Sequence, residues 1–256
     1  MMELLEYHLG NDVRAFSTLR GDVRADDAYS SFNITDYCGD SPEHVAACRR
    51  ELCNELSIDD SHLLLPHQIH SDRIVVIDPS YHEVFPQFRQ PILPDADAIV
   101  TTFAGLCIGV STADCIPVLL YDVQHRIAAA VHAGWRGAVQ RIVSKTVCAM
   151  QRIGSEPQYI RAVIGPGIAL DSFEVGEEVV EAFLDAGFHP CILSRNWPKP
   201  HIDLPAVCTI QLEETGVPTR NIRQSGIDTF AEHQRFFSAR RLGIRSGRIF
   251  TGIIMK

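Results

Sequence analysis

The sequence shows none of the features typical of exported or membrane proteins. Its first residues, MMELLEYHLG, carry acidic side chains where a signal peptide needs basic ones followed by an apolar run. No later segment approaches ~18 unbroken apolar residues, the length that a membrane span requires. The eight cysteines form no CxxC pair, so we expect reduced thiols. These absences predict a cytoplasmic protein with no membrane partner.

Basic residues are also in the minority. Lys and Arg total 23 against 32 Asp and Glu, for a formal net charge of -9. Because proteins bind nucleic acids through basic surfaces, this balance argues against a nucleic-acid partner. Repeats, low-complexity tracts and linker-like stretches are missing too. With 46% hydrophobic residues, the chain is typical of globular proteins, and we expect a single domain over residues 1–256.

Apolar segments with strand character occur in clusters and do not alternate strictly with helices. The predicted strands are VRAFST, HLLLP, DRIVVID, DAIVTT, LCIGVST, IPVLLYD, RIAAAVHAG, IRAVIG, NIRQSG and RIFTGIIM. The predicted helices are DSPEHVAACRRELCNELS, with Ser41 as N-cap, GEEVVEAFLDAG and PAVCTIQLEETG. This order favours a layered α/β fold with mixed β-sheets flanked by helices over a doubly wound parallel sheet.

The stretch AAVHAGWRG, residues 129–137, places His132 at a junction between a strand and a helix. A single amphipathic helix is predicted after it, because apolar residues recur at a spacing of three and four from Val139 to Met150. The glycines on either side of Trp135 and Arg136 allow a ligand to approach the backbone closely. The start of the helix can face an anion.

Three side chains that bind metals occur where predicted strands begin or end. His67 and His70 lie between two strands, Cys115 precedes a buried strand and His132 ends another. One residue from each place, His70, Cys115 and His132, would give three ligands and an open fourth position, as in catalytic zinc sites. Each side chain also has an ordinary structural explanation, and the choice between His67 and His70 stays open.

Ligand histidines are usually oriented by a second hydrogen bond. Asp72 and Asp114 are near enough in sequence to accept it. Asp114, next to Cys115, would point to the opposite face of a regular strand, which favours a structural role.

Ten motifs along the chain resemble one family. They are FST, FNI, GDSPEHV, QIHS, DADAIVT, TADCIPVLLYD, VHAGWRG, IGPGI, FEVG and RFFSARR. The sequence is thereby similar to the YfiH family, also called the laccase-domain or polyphenol-oxidase family. The resemblance implies a YfiH-like fold shared with bacterial toxin deamidases. It also implies a metal site, usually zinc, formed by His70, Cys115 and His132.

The resemblance further implies an enzyme of purine nucleosides. The expected reactions are phosphorolysis of adenosine, inosine, guanosine and methylthioadenosine, and deamination of adenosine. Phosphorolysis needs a bound phosphate. The first candidate to bind it is Arg49, the second is Arg136 with the helix that follows His132, and Asn33 is a weaker candidate to orient phosphate or substrate.

Three other functions stay open at this stage. A copper-dependent polyphenol oxidase is disfavoured because multicopper oxidases hold several copper ions, largely through His-x-His pairs, and none of the eleven histidines forms such a pair. Cys115 and His132 could instead act without metal as a nucleophile and its base, in a hydrolase or deamidase. A binding protein for nucleosides or cell-wall precursors is the third. The sequence leaves the oligomeric state undetermined.

Overall fold

Two six-stranded sheets form the centre of the fold in the computed structural model, which describes residues 3–24, 27–79, 92–93 and 95–256. The first sheet has the spatial order β1 (Leu4–Tyr7), β2 (Val13–Thr18), β14 (Ile249–Met255), β7 (Cys107–Thr112), β3 (Leu63–Pro66) and β5 (Ile92–Leu93). Its strands pair antiparallel except for β7 with β3 and β3 with β5, which are parallel.

The second sheet has the spatial order β13 (Ile222–Gln224), β10 (Ile160–Ile164), β8 (Ile116–Asp122), β9 (Ile127–Ala133), β6 (Ala98–Thr101) and β4 (Ile74–Ile77). Its edge strands, β13 and β4, pair parallel with their neighbours, and the inner pairs are antiparallel. A small antiparallel pair, β11 (Leu193–Ser194) and β12 (His201–Ile202), lies outside both sheets. Both large sheets are therefore mixed, as predicted.

Within the described residues, the α-helices present over their full length are α1 (Pro42–Leu56), α2 (Trp135–Val139), α3 (Ile142–Arg152), α4 (Glu177–Asp185), α5 (Leu204–Glu214) and α6 (Ala239–Leu242). The N-cap of α1 is Ser41, as predicted, and its side chain accepts a hydrogen bond from the backbone N–H of His44. No helix in the described ranges combines the length and the apolar character needed to cross a membrane.

Strand alternation produces four layers. In β8, Leu119 and Tyr121 pack between the two sheets, whereas Val118 and Leu120 face the helices α3, α4 and α5. The outer face of the first sheet packs against Leu52 and other apolar residues of α1. The order is helix, sheet, sheet, helix, which confirms the layered α/β architecture with flanking helices.

The helix predicted after His132 is divided in two. Arg141 adopts a left-handed conformation, with φ of +62°, between α2 and α3. Ile142 and Val143 still reach the core beneath α3, so the apolar spacing predicts the buried face but not the interruption. The structure adds β1, β5 and the β11–β12 pair to the predicted strands.

A buried carboxylate joins the turn after β8 to the segment after α3. The Asp122 side chain is inaccessible to solvent. It accepts hydrogen bonds from the backbone of Gln124, from both the backbone and ring of His125, from the Ser155 hydroxyl and from the backbone of Glu156, at 2.7 to 3.0 Å. Burial opposes ionisation, but the bonds from Ser155, His125 and Glu156 lower the pKa of Asp122 below its usual value.

We predict that Asp122→Ala lowers the free energy of unfolding by about 2–4 kcal/mol at pH 7, because the substitution leaves several buried donors without an acceptor. Since the folded pKa of Asp122 is lowered, its stabilisation is present above the unfolded pKa, about 4, and is lost as the pH falls. The difference between variant and wild type should therefore shrink below pH ~4. Urea unfolding at pH 7 and pH 3 measures it.

The matched control is Asp185→Ala, which removes an exposed carboxylate at the end of α4. It should change the free energy of unfolding by less than about 0.5 kcal/mol. Equal stabilities of Asp122→Ala and the control would contradict the role assigned to Asp122.

Candidate metal centre

Three chain segments meet at one end of the space between the two large sheets. His70 follows β3 of the first sheet, Cys115 immediately precedes β8 of the second, and His132 lies near the end of β9. Within β9, Ala128 and Ala130 face the first sheet. His132 continues that alternation, so its ring points into the space between the sheets.

The side chain of Gln68 attaches the loop that contains His70 to the first sheet. Its amide nitrogen donates to the carbonyl of Ser111, and its amide oxygen accepts from the backbone N–H of the same residue, both at 2.7 Å. Ser111 lies in β7, shortly before Cys115. The two segments that contain His70 and Cys115 are therefore connected directly.

The structure brings His70, Cys115 and His132 together. One ligand atom from each side chain lies within 4.8 Å of the others, and the Sγ of Cys115 is 3.8 Å from Nε2 of His70. The two imidazole rings pack edge to face, with centroids 4.8 Å apart. Accessibility increases across the group, since His132 is 3% exposed, Cys115 is partly exposed and His70 is exposed.

Gly134 lies against all three side chains. A Cβ atom at this position would be 2.9 Å from Cδ2 of His70, 3.1 Å from Sγ of Cys115 and 3.6 Å from Cε1 of His132. The first two distances are shorter than ordinary van der Waals contacts, so a side chain at residue 134 would push the group apart. The glycine noted in the sequence allows the three side chains to meet.

Two residues of the group's immediate backbone adopt left-handed conformations. His70 has a φ of +60° and Asp114 a φ of +83°, which is unfavourable for residues with a Cβ. Asp114 is held there because its carboxylate accepts from the hydroxyl of Thr229 at 2.8 Å and from the backbone of Arg240 at 2.7 Å. Such backbone strain is typical of functional sites.

The second hydrogen bond of His132 goes to a residue that the sequence analysis missed. Nδ1 of His132 lies 2.8 Å from Oδ1 of Asp97. Asp114 has the structural partners given above, and Asp72 pairs with Lys145. Asp97 directly precedes β6, which pairs antiparallel with β9 in a register that sets Ala98 opposite Val131. The next residues along, Asp97 and His132, therefore lie side by side. This strand pairing is the signal that could have identified Asp97.

The charges of the group favour a thiolate beside an imidazolium when no metal is bound. Burial opposes ionisation of Cys115, but His132 and His70 lower the pKa of its thiol to about 6. Burial also opposes protonation of His132, but Cys115 and Asp97 raise its pKa to about 9. Burial likewise opposes ionisation of Asp97, and its bonds with His132 and Ser71 lower its pKa to about 2.

The donor set fits a divalent transition metal. A thiolate and two imidazoles are zinc ligands, and ligand atoms around a tetrahedral zinc lie about 3.3–3.7 Å apart, given bonds of about 2.0–2.3 Å. The 3.8 Å separation between Cys115 and His70 is close to this range. Because Nδ1 of His132 bonds to Asp97, Nε2 is the ring atom available to a metal. The residues therefore could bind a metal ion through three ligands.

His67, the alternative to His70, lies apart from the group. Its Nδ1 is 2.9 Å from Oδ1 of Asp95, and its ring packs edge to face with Tyr37 at a centroid distance of 5.1 Å. The structure thus distinguishes between the two histidines that the sequence left open, and it places His70 beside Cys115.

The three candidates for binding phosphate or substrate are dispersed. The guanidinium of Arg49 bonds to Asp60 at 2.9 Å and to the carbonyl of Leu63 at 3.2 Å. Leu63 begins β3, whereas His70 follows the other end of that strand. Asn33 is fully buried, and its amide donates to Asp40 at 2.8 Å. It belongs to a buried hydrogen-bond network.

Arg136 is the candidate nearest to the metal group in the chain. It lies two residues after Gly134, is exposed to solvent, and its guanidinium carbon is 4.3 Å from the ring centroid of Trp135. Among the three candidates, it alone combines solvent exposure with a position four residues after His132, and within the described ranges no hydrogen bond or ion pair engages its guanidinium.

Comparison with known proteins extends over nearly the whole chain. A protein named adenosine deaminase RL5, from an unknown prokaryotic organism, is 47% identical over 247 residues, which are 95% of this chain and 94% of that protein. A purine nucleoside phosphorylase of Bacteroides thetaiotaomicron is 41% identical over 249 residues, covering 96% of this chain and 92% of that protein.

A solved structure and a family model also match nearly the whole chain. The crystal structure of a hypothetical protein YfiH from Bacillus licheniformis superposes with a TM-score of 0.90 at 26% identity, covering 100% of this chain and 97% of that one. A family model described as multi-copper polyphenol oxidoreductase laccase matches residues 14–256. The resemblance predicted from the motifs is confirmed, and the chain belongs to the YfiH, or laccase-domain, family.

Proposed function

We propose that the chain is a zinc-dependent enzyme of purine nucleosides. Its reactions are phosphorolysis of adenosine, inosine, guanosine and methylthioadenosine, and deamination of adenosine. The proposal depends most on one observation: the ligand atoms of His70, Cys115 and His132 lie within 4.8 Å of one another. The names of the two relatives, an adenosine deaminase and a purine nucleoside phosphorylase, support the substrate class.

Each residue of the group has a distinct part in the proposed site. His132 and Cys115 provide ligands on the less accessible side, and His70 provides one on the side that faces solvent. Zinc with an open coordination position supplies Lewis acidity and a water that ionises near pH 7. Gly134 leaves room for the three side chains to meet, because a Cβ at this position would crowd His70 and Cys115. A nucleoside would reach it from the exposed side, past His70.

Phosphorolysis transfers the ribose from the base to phosphate, so it needs a cation near the sugar that deamination does not need. We propose Arg136 for this role. It is exposed and close in sequence to the ligands, whereas the guanidinium of Arg49 already has two protein partners. Asn33 is proposed to support the site only indirectly, through its buried network.

A single metal fits the site better than the several copper ions of a multicopper oxidase. The described part of the chain contains one group of three metal-type side chains, and the sequence contains no His-x-His pair. Zinc is therefore proposed over copper.

A second candidate function has its own observation. The low pKa of Cys115, about 6, beside an imidazole is also what a nucleophilic cysteine requires. In that case Cys115 would attack the substrate and His132 would transfer protons, without metal. Full activity after chelation of all metal would favour this mechanism over the zinc enzyme.

The three proposed ligands can be tested by substitution. His70→Ala, Cys115→Ala and His132→Ala should each abolish zinc retention and turnover, because two protein ligands hold zinc poorly. Metal content is measured on protein purified without a histidine tag. Turnover is followed by ultraviolet absorbance of adenosine with and without phosphate, which distinguishes inosine from adenine as product.

Two substitutions of the same residue types serve as controls. His67→Ala removes an imidazole outside the group, and Cys148→Ala removes an exposed thiol. Both should keep zinc and activity. Zinc retained at wild-type stoichiometry by two of the three ligand variants would contradict the assignment.

Substitution of Arg136 should affect phosphorolysis and deamination differently. Arg136→Ala should raise the KM for phosphate by about 10- to 100-fold, as expected for the loss of a charge-assisted hydrogen bond. It should leave deamination of adenosine unchanged. Initial rates at varied phosphate concentration measure the effect.

Arg49→Ala provides the comparison for that experiment. It should lower thermal stability, because Arg49 connects α1 to Asp60 and to Leu63, and it should reduce both reactions equally or not at all. A selective rise in the KM for phosphate in Arg49→Ala would assign the phosphate to Arg49 instead.

The reactivity of Cys115 in the metal-free protein should depend on the charge of the group. Because the pKa of Cys115 is lowered to about 6, its alkylation by iodoacetamide should rise with pH below 6 and level off above about pH 7. In His132→Ala the midpoint should move up toward ~8.5, the value of an ordinary thiol. Peptide mass spectrometry of Cys115 measures the rate. A wild-type rate that still rises steeply above pH 8 would contradict the low pKa.

A further inference from the structure

Asp97 contacts both segments that contain the histidine ligands. It directly precedes β6, and its carboxylate is inaccessible to solvent. A buried carboxylate is stable only when its oxygens accept enough hydrogen bonds. The side-chain partners of Asp97 lie on β9 of the second sheet and in the loop that connects β3 of the first sheet to β4 of the second.

Toward β9, Asp97 holds His132 at two points. Oδ1 of Asp97 is 2.8 Å from Nδ1 of the ring, and the backbone carbonyl of Asp97 accepts from the backbone N–H of His132 at 2.7 Å. With Nδ1 engaged, the ring can rotate little, and Nε2 faces Cys115 and His70.

Toward the loop after β3, Asp97 holds the backbone beside the other imidazole. Oδ1 also accepts from the backbone N–H of His70 at 3.0 Å, and Oδ2 accepts from both the backbone N–H and the hydroxyl of Ser71, at 2.6 and 2.7 Å. These bonds hold His70 in the left-handed conformation that directs its side chain to the group. The same oxygen, Oδ1, thus contacts both histidine segments.

We propose that Asp97 is a positioning residue that sets the spacing of His70 and His132 and thereby makes the group a preformed metal site. The inference depends on the proposed metal function. It extends that function, because it assigns the arrangement of two ligands, one on β9 and one in the loop between β3 and β4, to a carboxylate that binds neither metal nor substrate.

The carboxylate is required in this arrangement because each of its hydrogen-bond partners in the described part of the chain is a donor. Ring Nδ1–H of His132, the backbone N–H groups of Ile69, His70 and Ser71, and the Ser71 hydroxyl point at its two oxygens. An asparagine has nearly the same shape but only one acceptor oxygen, and its NH₂ group would face a donor on one side. Asp97→Asn therefore tests the hydrogen bonds without leaving a cavity.

The experiment measures the dissociation constant of zinc by competition with a fluorescent chelator. Asp97→Asn should bind zinc about 10- to 100-fold more weakly than wild type, the usual effect of losing the partner of a ligand histidine. Ser71→Ala removes one donor to Oδ2 and should weaken binding by a smaller factor. Asp95→Asn is the matched control, since it changes an exposed carboxylate two residues away that contacts His67, and its zinc affinity should equal that of wild type.

Two further measurements distinguish positioning from a general loss of structure. The visible absorption of the cobalt(II)-substituted protein reports ligand geometry, and it should change in Asp97→Asn and Ser71→Ala but not in Asp95→Asn. With adenosine as substrate, kcat should fall in zinc-saturated Asp97→Asn while KM stays within about twofold of wild type, because Asp97 does not contact the nucleoside.

The outcomes are distinct. Zinc affinity and cobalt spectrum unchanged in Asp97→Asn would overturn the inference and leave the proposed function standing. If Asp97→Asn does not fold, Ser71→Ala decides, and a wild-type affinity and spectrum there would overturn the inference. A wild-type protein that binds no zinc would overturn the proposed function and the inference together.

Discussion

The short connection between β7 and β8 determines where the site can form. Only Ala113, Asp114 and Cys115 join a strand of the first sheet to a strand of the second. Packed sheets lie about 10 Å apart, and three extended residues span about 10 Å. The connection is therefore short, it bends at Asp114, which has a φ of +83°, and it leaves Cys115 at the mouth of the space between the sheets.

The sequence predicted much of this arrangement because its signals were local. Buried strands such as β8 and β9 are continuous apolar runs, and the three ligand positions were visible as metal-type residues at strand ends. Asp97 was not predicted, since its role depends on the pairing of β6 with β9 and sequence proximity pointed to Asp72 and Asp114 instead. The break at Arg141 was missed because the apolar spacing continues through it.

Long cationic side chains were the least predictable part of the site. An arginine reaches several ångströms from its backbone, so its position in the sequence says little about its partner. Arg49 illustrates this, because its guanidinium bonds to Asp60. Arg136 stacks on its neighbour Trp135 and stays exposed. Imidazole and thiol groups are short, and their positions follow the backbone more closely.

The accessibility of the three side chains decreases from His70 through Cys115 to His132. An ion held by them would be most accessible to solvent on the side of His70. Exchange with chelators or with competing ions would then depend on the loop that contains His70. The rate at which such a site binds or releases a metal would therefore depend on the segment between β3 and β4. The equilibrium affinity would depend on the bonds between the metal and its three ligands.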